Sequence, residues 1–138
     1  MTREAIAAMH AARLAEKEQA LFYRALAALA EAVADAELSE RLNGLHADEQ
    51  HHLSRLTVRL VELDEVVPDL GATAAPAAAL EQWEADARRR EEAEIARYEE
   101  LLRYELDDKT RTMLEQFVAA ERGHATMLGG KWMGAEPW

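Results

Sequence analysis

Cysteine is absent from the 138 residues. That excludes disulfides, thiolate zinc sites, iron–sulfur ligation and thiol catalysis. Helix breakers are scarce, with three prolines and six glycines, and aromatic residues make up only 6%. No apolar run approaches the length needed to cross a bilayer. Met1-Thr2-Arg3-Glu4 leads into an amphipathic pattern rather than the apolar core of a signal peptide. The expectation is a soluble, cytoplasmic protein with no membrane partner. Basic residues are outnumbered by acidic ones, 16 to 27, for a net charge of −11. The basic footprint of a nucleic-acid-binding protein is therefore missing, and Arg88-Arg89-Arg90 is too short to replace it.

What is present is alanine, leucine, glutamate and arginine, the composition of an all-α protein. The chain has the length of one domain, and its 49% apolar content is enough for a full core. The pattern predicts four helices over about 2–35, 39–65, 78–105 and 109–128, with a crossover at 66–77 and a tail at 129–138. Thr2 is placed to cap the first helix. Pro68, Gly71, Thr73 and Pro76 mark the crossover. Its twelve residues reach ~40 Å when extended, about the length of the helix before it. It can therefore cross a whole bundle, and the expected fold is an antiparallel four-helix bundle over 1–128 with a long connection between the second and third helices.

The inner stripes contain carboxylates where leucine belongs. On the first helix Met9, Glu16, Tyr23 and Ala30 recur every seven residues, with Leu14, Leu21, Leu26, Leu29 and Val33 widening the apolar surface. The second helix carries Leu42, Leu45, Glu49, His52, Leu56 and Leu63, and Gly44 within it either permits close packing or is merely tolerated. The third carries Leu80, Glu84, Ala87, Glu91, Glu94, Tyr98, Leu101 and Glu105. The fourth carries Leu114, Phe117, Glu121, His124 and Leu128. The halves repeat: Glu16 and Glu91 each precede a tyrosine by seven, and each half ends in Glu-x-x-His.

A glutamate and a histidine three apart on a helix point the same way and can serve one metal. With 20 glutamates and 5 histidines, chance supplies ~0.7 such pairs, so one pair is no signal. The conjunction is the signal: two pairs, each mid-seam, each matched by a seam glutamate on another helix. Four buried carboxylates need neutralising. Two divalent metals supply four positive charges, and four carboxylates with two imidazoles form the ligand set of carboxylate-bridged dinuclear sites in bundles. Such ligands suit iron or manganese, with zinc also possible.

These motifs resemble the ferritin-like superfamily, and within it the rubrerythrin and bacterioferritin branches. The likeness rests on Glu16-Lys17-Glu18-Gln19-Ala20-Leu21-Phe22-Tyr23, Asp48-Glu49-Gln50-His51-His52 and Glu121-Arg122-Gly123-His124, and it spans the chain from the first helix through the fourth. The resemblance implies two iron ions bridged by Glu49 and Glu121. Glu16 and Glu91 would be terminal ligands, and His52 and His124 would bind one metal each. Tyr23 and Tyr98 would hydrogen-bond to the carboxylates. Glu94 matches the additional third-helix glutamate of rubrerythrins, which points to peroxide chemistry. Two departures qualify the likeness. The cysteine-rich rubredoxin domain is missing, so an external electron donor is required for peroxidase work. No fifth helix is evident, which counts against storage in a large closed shell.

The function expected is oxidation of Fe(II) by hydrogen peroxide or dioxygen, in a homo-oligomer of two copies or more. The alternatives are an iron-storage or iron-delivery subunit and, in a different class, a non-catalytic helical interaction protein. Away from the seam, His51 reads as a surface residue, His46 as packing, and His10 as surface or interface. Glu18, Glu92, Glu99 and Glu100 read as a solvated face. Trp132 and Trp138 either anchor a partner or sit in a frayed tail.

Overall fold

The computed structural model describes residues 1–128. The expected tail at 129–138, with Gly129-Gly130 and both of its tryptophans, lies outside the described residues. Four helices are present and, among the described residues, no strand: α1 (Arg3–Ala32), α2 (Ala36–Glu62), α3 (Trp83–Leu101) and α4 (Asp108–Met127). None is long and apolar enough to cross a membrane. The arrangement is that of a helical bundle protein, and its internal contacts divide the chain into two compact units.

Local chemistry sets the helix ends. Thr2 Oγ1 accepts from the Ala5 amide at 3.1 Å, the cap expected of it. α1 ends in a paired turn, with the Asp35 amide bonded to the Ala30 carbonyl and that of Ala34 to Glu31. Ala34 holds the left-handed conformation at φ 58°. α2 starts three residues earlier than expected because Asp35 caps it, its side chain accepting from the Leu38 amide. α2 closes the same way as α1: Glu65 bonds to Leu60 and Asp64 to Val61, with Asp64 at φ 63°. α3 is shorter than the expected 78–105. Gln82 sits at φ 58° immediately before it, so Ala77-Ala78-Ala79-Leu80 stays out of the helix despite good helical propensity. The connection accordingly runs over 63–82. Asp107 caps α4 by accepting from the Thr110 amide at 2.8 Å.

One unit spans Met9–Glu81. Its contacts pair rising positions on α1 with falling positions on α2. Arg13 Nε donates to Thr57 Oγ1 at 2.7 Å, and the His46 ring donates to the Ala20 carbonyl at 2.8 Å. Arg24 donates to Asn43. The second bond of Arg13, to the Pro68 carbonyl at 2.8 Å, ties the connection to α1. His46 is thus a packing residue, and His10 bonds Glu65 at 3.1 Å.

Met9, Glu16, Tyr23 and Ala30 are all fully buried, but Leu14, Leu29 and Val33 are exposed rather than core. The α2 seam ends at Leu60, not Leu63, because Leu63 is already the cap residue beyond the helix. Gly44 is exposed, and a Cβ there would meet nothing, so it serves no close packing.

The other unit comprises Met1–Ala8 and the chain from Gln82 onward. Here too rising positions on α3 meet falling positions on α4. Tyr98 packs on Phe117 with ring centroids 5.5 Å apart, Glu99 pairs with Arg122, and Arg111 donates to the Leu102 carbonyl. Trp83 is buried, whereas Leu80, Glu84 and Glu105 of the expected stripe are not.

Candidate metal centre

Each unit carries its own set of buried ligands. In the first, the leucine seam of α2 brings Glu49 and His52 inward between Leu45 and Leu56. Glu49 is fully buried and His52 nearly so. Glu16 reaches the same place from α1, also fully buried, with Oε2 3.5 Å from His52 Nδ1. Ligand atoms of Glu16, Glu49 and His52 lie within 4.8 Å of one another.

The second set repeats the first. Glu91 on α3 and Glu121 on α4 are fully buried, and His124 follows Glu121 by three. His124 Nδ1 lies 2.6 Å from Glu91 Oε1 and 3.4 Å from Glu121 Oε1. Ligand atoms of these three also fall within 4.8 Å of one another. Glu94 is buried on the same stripe of α3 but belongs to neither set among the described residues. Tyr23 and Tyr98 are fully buried, each two turns along its helix from a ligand glutamate.

Electrostatics show what such a site costs without a cation. Burial pushes the Glu121 carboxyl up to about 7, with the His124 hydrogen bond opposing and the Glu91 charge adding to the rise. Burial alone would lower the His124 imidazole. The hydrogen bonds it makes to Glu121 and Glu91 outweigh that effect and raise it to about 11. A proton on His124 thus stands where a metal's charge would.

The donor set fits a divalent metal. Glu16, Glu49, Glu91 and Glu121 have no exposed surface, and sequestering carboxylates costs several kcal/mol each, on the order of the desolvation penalty, unless a cation compensates. Hard oxygens with one imidazole per set are ligands for iron, manganese or zinc. The buried glutamate and histidine clusters are therefore able to hold a metal ion.

Every member of the two sets is a residue singled out from the sequence. The structure adds Gln19, buried at 1% exposure one turn beyond Glu16, and the buried Arg13 one turn before it. Both lie on the flank of the α1 stripe, where no periodic signal separated them from the polar surface. No protein-family model and no curated protein matches the chain.

Proposed function

We propose that the two sets are halves of one dinuclear iron centre, and that the protein oxidises Fe(II) with hydrogen peroxide or dioxygen. Glu49 and Glu121 then bridge, with Glu16 and Glu91 as terminal ligands. The scaffold is an antiparallel four-helix bundle of ferritin-like type, with the long connection crossing from α2 to α3. The setting is cytoplasmic, in a homo-oligomer.

The observation that carries this reading is the burial of two matching Glu/Glu/His sets, since carboxylates are costly to bury without a compensating charge. Bound iron would supply the two electrons that reduce the oxidant. The chain's own residues hold the ions and keep bulk water away from the carboxylates. His52 and His124 fix the ends of the site through Glu16 and Glu91. Tyr23 and Tyr98 are placed to donate hydrogen bonds to carboxylates, and Glu94 supplies a further carboxylate on α3. No side-chain nucleophile is involved. Turnover with peroxide requires an external reductant, which supplies the two electrons that return the iron to Fe(II).

Stopped-flow mixing of the anaerobic Fe(II)-loaded protein with peroxide and, separately, with dioxygen tests the activity. Rapid oxidation by either, faster than Fe(II) in buffer, is the expected result. Rates equal to buffer with both oxidants would refute it. If the protein grows a mineral-filled assembly on aerobic iron loading, storage replaces turnover as the function; a small iron-loaded oligomer is expected instead.

A further inference from the structure

Within the unit Met9–Glu81, a cavity of about 440 Å³ opens where the connection passes α1 and α2. It is in the size range of small-molecule sites, and none of the candidate metal ligands lines it. Two cations do. Arg13 is only 9% exposed and is held from two sides. Nε donates to Thr57 Oγ1 at 2.7 Å, and Nη1 to the Pro68 carbonyl at 2.8 Å. Thr57 Oγ1 in turn donates to the Leu53 carbonyl at 2.9 Å, which fixes it as an acceptor for Arg13. The third guanidinium nitrogen, Nη2, has no hydrogen-bond partner among the described residues.

Lys17, one turn further along α1, lines the same cavity and makes no ion pair or hydrogen bond among the described residues. Its neighbours three and four positions away are Arg13, Leu14, Ala20 and Leu21, none of them acidic, in a chain with 27 acidic residues. Two like charges one turn apart repel, so both gain from an anion placed between them. The other walls limit what that anion can be. Asp69 contributes one carboxylate, held by the Gly71 amide at 2.7 Å. Burial lowers the Arg13 guanidinium, and the Asp69 charge opposes the fall. Arg13, Lys17 and Asp69 sum to one positive charge, which matches a monoanion and disfavours a dianionic phosphate ester. Leu53, Val58 and Leu70 make the apolar side.

We propose that this cavity binds a small aliphatic monocarboxylate. Its carboxylate lies between Arg13 Nη2 and the Lys17 ammonium, and its hydrocarbon end lies against Leu53, Val58 and Leu70. Arg13 is already fixed by Thr57 and Pro68, so little side-chain freedom is lost when the acid binds. The acid touches α1, α2 and the connection together, so it also fastens the connection to the helix pair and stabilises the fold by linkage.

Titration of isotopically labelled protein with isocaproate, followed by amide chemical shifts, tests the proposal. A Kd on the order of 1 mM or below is expected for an acid of about eight non-hydrogen atoms. The shifts should centre on 13–17, 53–58 and 69–71. Lys17→Gln removes one of the two cations without touching the bonds of Arg13, and should weaken binding about tenfold or more. Lys17→Arg should retain it. The uncharged isohexanol and inorganic phosphate should each bind about tenfold more weakly or less than that.

Metal-free protein and protein incubated with zinc should give the same Kd. Binding only after zinc addition would mean that a metal, not this cavity, captures the carboxylate, and would overturn the proposal. So would the absence of shifts at about 10 mM, well above the expected Kd. Equal binding by Lys17→Gln, or equal binding of isohexanol, overturns it as well.

Discussion

The ionisable residues of the second set make loading and acidity inseparable. Glu121 titrates near 7 and His124 near 11 without metal, and a metal must displace the protons of both. Loading at pH 7 should therefore release more than one proton per chain, and apparent affinity should rise between pH 6 and 8. A pH-stat titration in weak buffer reads the first, and metal competition at the two pH values the second.

The signs for stability differ between the two groups. Glu121 is raised above its ordinary 4.5, so it costs the metal-free fold nothing below that value, and the cost is fully present above about 7. His124 is raised from 6.5, so its contribution is fully present below 6.5 and is lost only as pH climbs through about 11. At pH 8 the Glu121→Gln variant should therefore stabilise the metal-free protein, by about 1–3 kcal/mol from relieved desolvation, while lowering metal content. Thermal melts of metal-free wild type and variant decide the first point; a drop in melting temperature would contradict it.

At the scale of the helix, the ends hold most of what composition hides. Asp107 accepts from the Thr110 amide, so Asp107→Ala should cost about 1 kcal/mol in denaturant unfolding. Ala34 sits in the left-handed region with a Cβ it would be better without. Gly44 lies mid-helix with open space around it. Ala34→Gly and Gly44→Ala should each stabilise, by roughly 1 kcal/mol, for opposite reasons. Midpoint shifts of matching size in urea are the expected reading, and a loss in either variant would refute its assignment.

The same elements explain what was legible in the sequence. Glu16 identified the buried stripe of α1, because a glutamate at heptad spacing with Met9 and Tyr23 marks the face that needs a partner. Leu14, Leu29 and Val33 were misleading, because α1 has two apolar faces and apolarity alone does not say which turns inward. The start of α3 was hidden by Ala77-Ala78-Ala79, whose helical propensity yields to the backbone conformation at Gln82. Leu60 replaced Leu63 because the turn at Asp64 ends α2 first.

For the molecule as a whole, four helices in a single all-α chain followed from composition and period, and the candidate ligands followed from repetition. Glu16 with Glu49-x-x-His52, and Glu91 with Glu121-x-x-His124, are each drawn together within one unit. The division of the chain into two compact units was not visible, since the repeat that makes the halves alike also makes them read as one continuous pattern. In the proposed reading these carboxylates hold a pair of metals. Anaerobic equilibrium titration with Fe(II), read by metal analysis after desalting, addresses it directly. Two ions per chain are expected, with loss of the second in the E49A/E121A double variant. Fewer than about one ion per chain, or an unchanged content in that variant, would contradict it.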